Sequence, residues 1–174
     1  MGLKLIKPDK YLFKRIKDYR SEYFNYGEKH INGSCGLAHY DDLDEWLNLV
    51  LSIEKDKLSR DKVHATTFFS VREEDNRLIG SIQIRHTLTD NLKRYGGHIG
   101  YGIRPSERMK GYGTEQLRLV LDVAKEMNIP KVMISCDKSN IGSAKVIKNN
   151  NGILVKEDLH NNEIVQIYWI DLTK

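Results

Sequence analysis

The sequence predicts a mixed α/β (α+β) fold, with a central, mostly antiparallel sheet of about seven strands and four flanking helices. Three features of the sequence support this prediction. Apolar runs of strand length alternate with segments in which apolar residues recur at helical spacing. Three strand-like runs follow one another in the middle of the chain, joined by polar segments, as in an antiparallel meander. One helix then connects the fourth strand to the fifth, so we expect that pair to be parallel, and a doubly wound sheet is excluded.

The N-terminal part of the chain predicts one strand and two helices. Leu12, Ile16, Tyr19 and Tyr23 recur at helical spacing, and Gly27 is a residue that commonly ends a helix. The next segment is rich in glycine and polar residues, which predicts a loop, and an aspartate after it can cap the second helix. The predicted elements are a strand at 3–7, a helix at 9–26, a loop at 28–40 with Asp41 or Asp42 as the cap, and a helix whose apolar face comprises Leu43, Trp46, Leu47, Val50 and Leu51.

The remainder of the chain alternates strands with two more helices. Apolar residues recur at helical spacing between 114 and 127, which indicates a strong helix. The segment 87–96 is polar and is predicted to be irregular, and a pair of asparagines at 161–162 predicts the turn of a closing hairpin. The predicted strands are 65–71, 78–85, 97–104, 131–136, 152–160 and 163–171, and the predicted helices are 114–127 and 140–148.

Length and composition are those of an ordinary folded protein. The chain has 174 residues, of which 40% are hydrophobic and 30% charged, so we expect a single domain at 1–174 that buries a core. No apolar stretch approaches the roughly 18–20 residues that span a bilayer, and the N-terminus lacks the apolar core of a signal peptide. Cys35 and Cys136 are too few for a disulfide framework and have no zinc-site spacing. We therefore expect a cytoplasmic protein with reduced thiols, no metal and no membrane partner.

The excess positive charge is concentrated in one segment. The net charge is +4, from 28 basic and 24 acidic residues, and residues 104–148 alone hold nine basic and five acidic residues. This excess fits a compact anionic ligand better than a nucleic acid, whose binding usually requires a denser basic stripe. We therefore expect no nucleic-acid partner, although ordinary variation in surface charge would give the same pattern.

The segment with the clearest chemical signal is GHIGYGIRPSERMKGYGT, at 97–114. A strand there runs into a basic loop, and the loop opens a helix. Gly111 and Gly113 have no side chains, so a ligand can approach the backbone closely. Free amides and the positive end of a helix favour an anion, for which pyrophosphate is the natural candidate. Arg108 and Lys110 add formal positive charge beside it.

Other phosphate-binding motifs do not fit this segment. A P-loop requires Gly-x-x-x-x-Gly-Lys-Ser/Thr, which the sequence lacks. A dinucleotide-binding fingerprint requires a third glycine, and Gln116 stands at that position. The pattern that does fit is Arg-x-x-Gly-x-Gly, formed by Arg108, Gly111 and Gly113.

This pattern resembles the acyl-CoA signature of the GNAT superfamily of N-acetyltransferases, which lies between the fourth strand and the third helix of that fold. A second resemblance comes downstream, where CDKSNIGSA at 136–144 is similar to the strand end and the Asn-x-x-Ser/Ala helix start of the same family. The two motifs occur in the family's order, and the predicted elements resemble the GNAT fold over nearly the whole chain. Within the superfamily, the chain resembles a group of uncharacterised bacterial-type acetyltransferases.

The resemblance implies a binding site for acetyl-CoA, used as the acyl donor. The main chain of Ile103 would bind the pantetheine arm, and Asn140 would contact a pantetheine amide, with Ser143 nearby. Alternatively, Asn140 would serve only as a helix cap. The pyrophosphate would be wrapped by a loop made of Arg108, Met109, Lys110, Gly111, Tyr112, Gly113 and Thr114.

The catalytic groups are less defined by the resemblance. In many members a carboxylate on the fourth strand precedes the Ile-Gly-Tyr run, and His98 stands at that position here. A histidine titrates near neutral pH, so His98 can serve as the general base, or it can instead hydrogen-bond or contact the substrate. The family's tyrosine acid is absent, because Ile147 occupies its position. Tyr112 and Tyr168 are the nearest other tyrosines by position in the fold, and Cys136 is read as a packing residue rather than a nucleophile.

In this fold the loop between the first two helices and the end of the third strand border the acceptor site. The resemblance therefore points to Tyr26, Cys35, Arg85 and His86 as walls of that site. Arg85 can hold a substrate carboxylate through two hydrogen bonds, or it can form a surface ion pair with a nearby acid.

The function implied by the resemblance is an N-acetyltransferase that moves an acetyl group from acetyl-CoA to a primary amine by direct attack in a ternary complex. The sequence does not identify the acceptor, which is expected to be a small-molecule or peptide amine. The alternative is a non-catalytic CoA-binding sensor or degenerate member, which the missing tyrosine favours. The closing strands at 152–160 and 163–171 also offer an edge through which two copies could pair as a homodimer.

Overall fold

The computed structural model describes residues 2–55 and 62–174, which form seven strands and five helices. The elements in chain order are β1 (Leu3–Ile6), α1 (Phe13–Asn25), α2 (Leu43–Lys55), β2 (Ala65–Arg72), β3 (Leu78–Arg85), α3 (Asp90–Arg94), β4 (Ile99–Ile103), α4 (Tyr112–Glu126), β5 (Lys131–Asp137), α5 (Ile141–Asn149), β6 (Ile153–His160) and β7 (Glu163–Asp171).

The strands form two sheets instead of one central sheet. The first sheet has the order β1-β2-β3-β4 and the second has the order β5-β7-β6. Every strand pair in the two sheets is antiparallel. The mixed α+β class and the strand number agree with the prediction. β4 and β5, which the sequence predicts to be neighbours, are each the edge strand of a different sheet.

The predicted parallel pairing of β4 with β5 is wrong. Among the described residues, one isolated antiparallel bridge, Gly97–Ile134, joins the chain before β4 to β5. The backbone amide of His98 donates to the Met133 carbonyl at 2.8 Å, but the Met133 amide donates to the ring Nδ1 of His98, at 3.0 Å. Because a side chain replaces a backbone acceptor here, the bridge does not continue as a ladder into β4.

The helices differ from the prediction in several places, one of which is α1: it begins at Phe13, four residues after the predicted start, because residues 10–12 form a separate 3₁₀ turn. The segment 87–96 is not wholly irregular: it contains α3, whose first turn is capped by the Thr89 hydroxyl, and this helix makes five where four were expected. Leu51 was assigned to the buried face of α2 but is 40% exposed. α4 begins at Tyr112, two residues before the predicted start. None of the described helices combines the length and the apolar character that crossing a membrane requires.

Two main apolar clusters hold the layers together. One lies between the first sheet and the helices α1 and α2, and includes Trp46 and Phe69. The other includes Leu117 of α4 together with Ile82 of β3 and Ile134 of β5. The second cluster therefore joins the two sheets by side-chain packing where backbone pairing is missing, and burial of each such aliphatic side chain contributes about 2 kcal/mol. The single domain at 1–174 stays a prediction.

Apolar side chains remain exposed along β6, an edge strand of the second sheet. Ile153 is 66% exposed, and Val155 and Leu159 are exposed by 56% and 64%. An edge strand has one row of unpaired backbone groups, which can accept a strand from another chain. The homodimer expected from the sequence stays a prediction.

An ion-pair network fixes the loop that leads from β4 into α4. The Glu107 side chain is only 4% exposed, and its carboxylate contacts Arg72 at 3.2 Å, Arg77 at 3.3 Å and Lys110 at 3.0 Å. Arg72 belongs to β2, and Arg77 directly precedes β3. A buried carboxylate shared by three cations therefore anchors this loop to the first sheet.

Substitution Glu107→Gln is expected to lower the free energy of unfolding by about 2 kcal/mol. This lies between the ~1 kcal/mol of an exposed pair and the ~3 kcal/mol of a buried one, because three partly exposed cations lose their shared anion. Urea denaturation measures the change. The control is Glu126→Gln on the exposed face of α4, expected to change stability by less than about 0.5 kcal/mol. Equal stability of the Glu107→Gln variant and the wild type would contradict the anchoring role.

Candidate active site

The outer edge of β4 carries main-chain groups that no strand of the described residues pairs. His98 and Arg104, at the two ends of this segment, hydrogen-bond through their backbone to β3. The direction of backbone groups alternates along an antiparallel pair. The amides and carbonyls of Ile99, Tyr101 and Ile103 therefore point to the outer edge, away from β3. The prediction that the main chain of Ile103 binds a ligand is compatible with this orientation.

The start of α4 lacks a capping side chain. Its N-cap residue, Gly111, has a φ of 85°, a left-handed conformation that glycine adopts without a steric penalty. By contrast, α3 is capped by Thr89 and α5 by Asn140. The first amides of a helix have no intrahelical acceptor, so those of α4 are free to bind an anion.

The two basic side chains of this loop are paired with carboxylates. The guanidinium of Arg108 donates two hydrogen bonds to Glu28, at 2.6 and 2.8 Å, and a third to the carbonyl of Ile103, at 2.9 Å. The hydrogen bonds that Arg108 donates to Glu28 raise the pKa of Arg108 above its ordinary value. Lys110 donates to Glu107 at 3.0 Å. Since both cations already have acidic partners, the free amides of α4 are the groups still available to an anion.

The other loop residues take different positions. Met109 is 92% exposed and has a φ of 61°, whereas Tyr112 is buried and can contribute only its backbone. A Cβ atom at Gly113 would lie 3.0 Å from the side chain of Val146, so glycine allows α4 to approach α5. The carbonyl of Thr114 accepts a hydrogen bond from a side-chain amide at the end of α5. The loop predicted from the sequence therefore brings backbone, more than side chains, to the helix start.

Side-chain hydroxyls meet at the start of α5. Asn140 caps the helix, because its Oδ1 accepts from the Ser143 amide at 3.0 Å. The Ser143 hydroxyl lies 2.8 Å from the hydroxyl of Tyr101, which sequence reasoning did not select. Burial raises the pKa of Tyr101, so this hydroxyl stays protonated at neutral pH. The alternation of side chains along β4 is enough to predict that Tyr101 lies on the α4 side of the sheet. Nothing in the sequence shows that α5 begins beside Tyr101.

His98 is buried and already engaged. Its Nδ1 accepts from the Met133 amide, so the neutral ring carries its proton on Nε2. Burial, and to a lesser degree the charge of Arg85, lowers the pKa of His98 to about 4. To accept a proton at Nε2, the ring would have to place its other proton on Nδ1 and lose the bond to Met133. The geometry therefore favours the hydrogen-bonding alternative, and a general-base role for His98 stays a prediction.

The remaining acid and nucleophile candidates are turned away from the helix start. Tyr112 is buried and accepts from an arginine of β2, and the hydroxyl of Tyr168 donates to Gln166 at 2.8 Å. Ile147, at the position of the family's tyrosine, is fully buried. Burial raises the pKa of the Cys136 thiol, which agrees with a packing role. Within residues 2–55 and 62–174, no group of three or more His, Cys, Asp or Glu side chains is arranged to hold a metal ion.

A cavity of about 270 Å³ lies between the loop that follows α1 and the end of β3. We call it the acceptor cavity, after the acceptor site that the sequence resemblance predicts at this position. Of the four predicted wall residues, Cys35 and Arg85 line it, together with His30, His39 and Gln83, which sequence reasoning missed.

The other two predicted wall residues lie elsewhere. Tyr26 is 62% exposed at the end of α1, outside the cavity lining. The Nε2 atom of His86 lies 2.8 Å from the hydroxyl of Thr66, and its ring stacks on His64. Their side chains therefore do not border the acceptor cavity.

Close backbone contact sets the acceptor cavity beside β4. Gly33, in the cavity wall, has a φ of 74°, and a Cβ atom there would lie 2.5 Å from the carbonyl oxygen of Gly100. Glycine is therefore required for the loop to rest directly on the strand. Gln83 of the cavity pairs with Gly100 in the sheet register. The acceptor cavity and the open edge of β4 thus share the same short strand.

An open strand edge that leads into an uncapped helix start is suited to an elongated ligand with an anionic group. Comparison with known proteins identifies the class. The chain matches the acetyltransferase (GNAT) domain family over residues 36–152, which is more than half of its length. The chain therefore belongs to the GNAT acetyltransferase family, whose members are acetyl-CoA-dependent N-acetyltransferases.

The relatives described here share at most 30% sequence identity with this chain. An uncharacterized N-acetyltransferase of Bacillus subtilis (strain 168), YnaD, is 30% identical over 89 residues, and the match spans 49% of this chain and 48% of that protein. The chain thus spans about half the length of the curated relative it matches. The ribosomal-protein-S5-alanine acetyltransferase of Vibrio fischeri has a TM-score of 0.75 at 16% identity, covering 98% of this chain and 93% of that chain. Mutant forms of the spermidine/spermine N-acetyltransferase SpeG of Vibrio cholerae give 0.65 at 14% identity, covering 99% and 96%. These structural likenesses establish the fold.

Protonation of His98 is expected to make stability depend on pH. Because folding lowers its pKa from 6.5 to about 4, the unfolded chain binds a proton that the folded chain does not. The stability that the neutral ring contributes is present above pH 6.5 and is lost as the pH falls toward 4. For the wild type this loss amounts to about 2 kcal/mol between pH 7 and pH 5.

Substitution His98→Asn isolates this contribution, because the asparagine side chain offers an oxygen near the position of Nδ1 and does not titrate. Urea denaturation at pH 7 and pH 5 should show a pH-dependent loss about 2 kcal/mol smaller for the variant than for the wild type. An identical loss in both proteins would show that His98 is not held neutral by the fold.

Proposed function

We propose that this chain transfers the acetyl group of acetyl-CoA to a primary amine by direct attack in a ternary complex. The observation that carries the proposal is the uncapped start of α4, directly after the open edge of β4. An acyl-CoA has an extended amide-containing arm and a pyrophosphate. The strand edge suits the arm and the helix start suits the pyrophosphate.

The arm would lie along the outer edge of β4. The backbone of Ile103 points to that edge, and its carbonyl is held by Arg108. The Oδ1 atom of Asn140 is used as a helix cap, so its NH₂ group would bind a pantetheine carbonyl, with Ser143 beside it. Both assignments are supported by the family membership and by the position of these groups at facing elements.

The pyrophosphate would bind the amides from Met109 to Thr114. Arg108 and Lys110 are bound to Glu28 and Glu107, so they would hold the loop in shape and add only part of their charge. Tyr112 and Gly113 would contribute backbone alone. This division of roles, in which backbone amides bind the anion and side chains hold the loop, is supported by the absence of a capping side chain at Gly111.

In the reaction, the neutral amine attacks the thioester carbonyl, the new C–N bond forms and the C–S bond breaks. The amine proton leaves to water or to a base, and the CoA thiolate departs. The fixed amide of Ile99 or Tyr101 on the open edge would donate to the developing oxyanion. Two unpaired cysteines support a reducing, cytoplasmic setting, in which we propose that the enzyme works.

A CoA-binding sensor without turnover is the second candidate. Two observations favour it: Ile147 is buried where the family has its tyrosine, and Nδ1 of His98 is committed to Met133. Release of free thiol from acetyl-CoA in the presence of amines separates the candidates, because a sensor binds the cofactor without releasing CoA.

Placing a negative charge at Met109 is expected to weaken acetyl-CoA binding. Met109 is 92% exposed and has a positive φ that aspartate tolerates, so Met109→Asp should leave the fold intact. A carboxylate within about 8 Å of the pyrophosphate should raise the Kd about tenfold. Calorimetric titration with acetyl-CoA measures the effect.

The matched control is Met109→Asn, which has the same shape and backbone preference without the charge. It should bind acetyl-CoA as the wild type does. Equal affinity of the aspartate variant would place the pyrophosphate elsewhere, and no binding to the wild type would refute both the enzyme and the sensor.

A further inference from the structure

The acceptor cavity contains an arginine without an acidic partner. Among the described residues no carboxylate forms an ion pair with Arg85, so the surface ion pair left open by the sequence is not formed there. Its guanidinium donates one hydrogen bond, from Nη1 to the carbonyl of Gly97 at 2.9 Å. A guanidinium has five N–H donors in a fixed fork, so most of its donors remain available.

Burial makes this cation unusual. Arg85 is partly buried, and burial lowers the pKa of its guanidinium, with only Cys35 acting in the opposite direction. An arginine still carries its charge at neutral pH. A partly desolvated cation without a counter-ion is stabilised when an anion binds beside it.

The rest of the lining provides no negative charge. The described side chains around the acceptor cavity include His30, His39, Gln83 and Cys35 but no aspartate or glutamate. A polyamine or another polycation would have to be held by carboxylates, which this lining lacks. The electrostatics therefore favour an acceptor that carries its own negative group.

The size and position of the acceptor cavity narrow the choice of acceptor. The acceptor cavity has a volume of about 270 Å³, enough to hold a molecule of the size of an amino acid. Arg85 donates to the carbonyl of Gly97, two residues before the start of the edge strand β4, and Gln83 pairs with Gly100 of that strand. A carboxylate on Arg85 would therefore lie close to the strand on which we place the acetyl donor.

We propose that Arg85 binds the carboxylate of the amine acceptor, and that the acceptor is a free amino acid or a compound of similar size rather than a polyamine. This inference rests on the acetyltransferase activity proposed above. A planar carboxylate accepts two parallel hydrogen bonds from the guanidinium fork. The bond would fix the acceptor at one end and leave its amine free to point along β4.

The test compares each common amino acid with its α-carboxamide, and both with spermidine, by CoA thiol release at saturating acetyl-CoA. For the best acceptor, the wild type should prefer the acid over the carboxamide at least tenfold in kcat/KM. Arg85→Met should raise KM for the acid at least tenfold with little change in kcat, and change the carboxamide less than threefold. Arg85→Lys should restore part of the preference for the acid.

A matched control is Arg118→Met, which removes an exposed arginine on α4 that pairs with Asp122. It should leave the preference for the acid unchanged. Unfolding midpoints of both variants check that loss of activity is not loss of fold. Equal use of acid and carboxamide by the wild type, or spermidine as the best acceptor, would overturn the inference while leaving the acetyltransferase activity standing.

If acetyl-CoA binds but no amine is acetylated, the acetyltransferase proposal fails, and the carboxylate site is tested separately. Calorimetric titration of CoA-saturated protein with the same amino acids should then detect binding that Arg85→Met weakens at least tenfold. Absence of such binding overturns the carboxylate site as well.

Discussion

The arrangement of the site depends on one hydrogen bond, from the Met133 amide to the imidazole of His98. In a continuous sheet that amide would donate to a backbone carbonyl, and β4 and β5 would pair along their length. The imidazole takes the place of the carbonyl, and among the described residues the two sheets meet at a single isolated bridge and are otherwise joined by packed side chains. No strand of the described residues pairs with the outer edge of β4. A histidine at this position is thus explained by the architecture, whatever its part in proton transfer.

Acidic residues shape the loop between β4 and α4 as much as basic ones do. Glu28 and Glu107 hold Arg108 and Lys110, so the positive side chains are fixed before any ligand arrives. Less entropy is then lost on binding, but part of the long-range attraction for anions is given up. Backbone amides at the start of α4 act at short range and in one direction. If the proposed site is correct, such a loop favours a phosphate that is carried on an arm of the right length over one that is free in solution.

Local chemistry could be predicted from the sequence, and tertiary pairing could not. The strands at 78–85 and 163–171 and the loop around Gly111 follow from apolar alternation and from glycine chemistry, which are local properties. The five-residue helix α3 is too short for a periodic pattern, and its cap was not recognised. The separation of β4 from β5 depends on a side chain replacing a carbonyl, which no strand pattern reveals. Of the four residues predicted to line the acceptor cavity, only Cys35 and Arg85 do so. The position of a loop in the sequence does not show which of its side chains point inward.

The contact of Gly33 with Gly100 joins the loop that lines the acceptor cavity to β4, along which we propose that the cofactor lies, by backbone alone. Main-chain contacts do not change when neighbouring side chains are replaced. The side chains of His30 and His39 can therefore be replaced, and the chemistry of the acceptor cavity altered, without moving β4. This arrangement allows substrate choice to diverge in evolution while the geometry of the proposed cofactor site stays constant. A side chain at Gly33 would affect both sides at once, because its Cβ atom would clash with the backbone of β4.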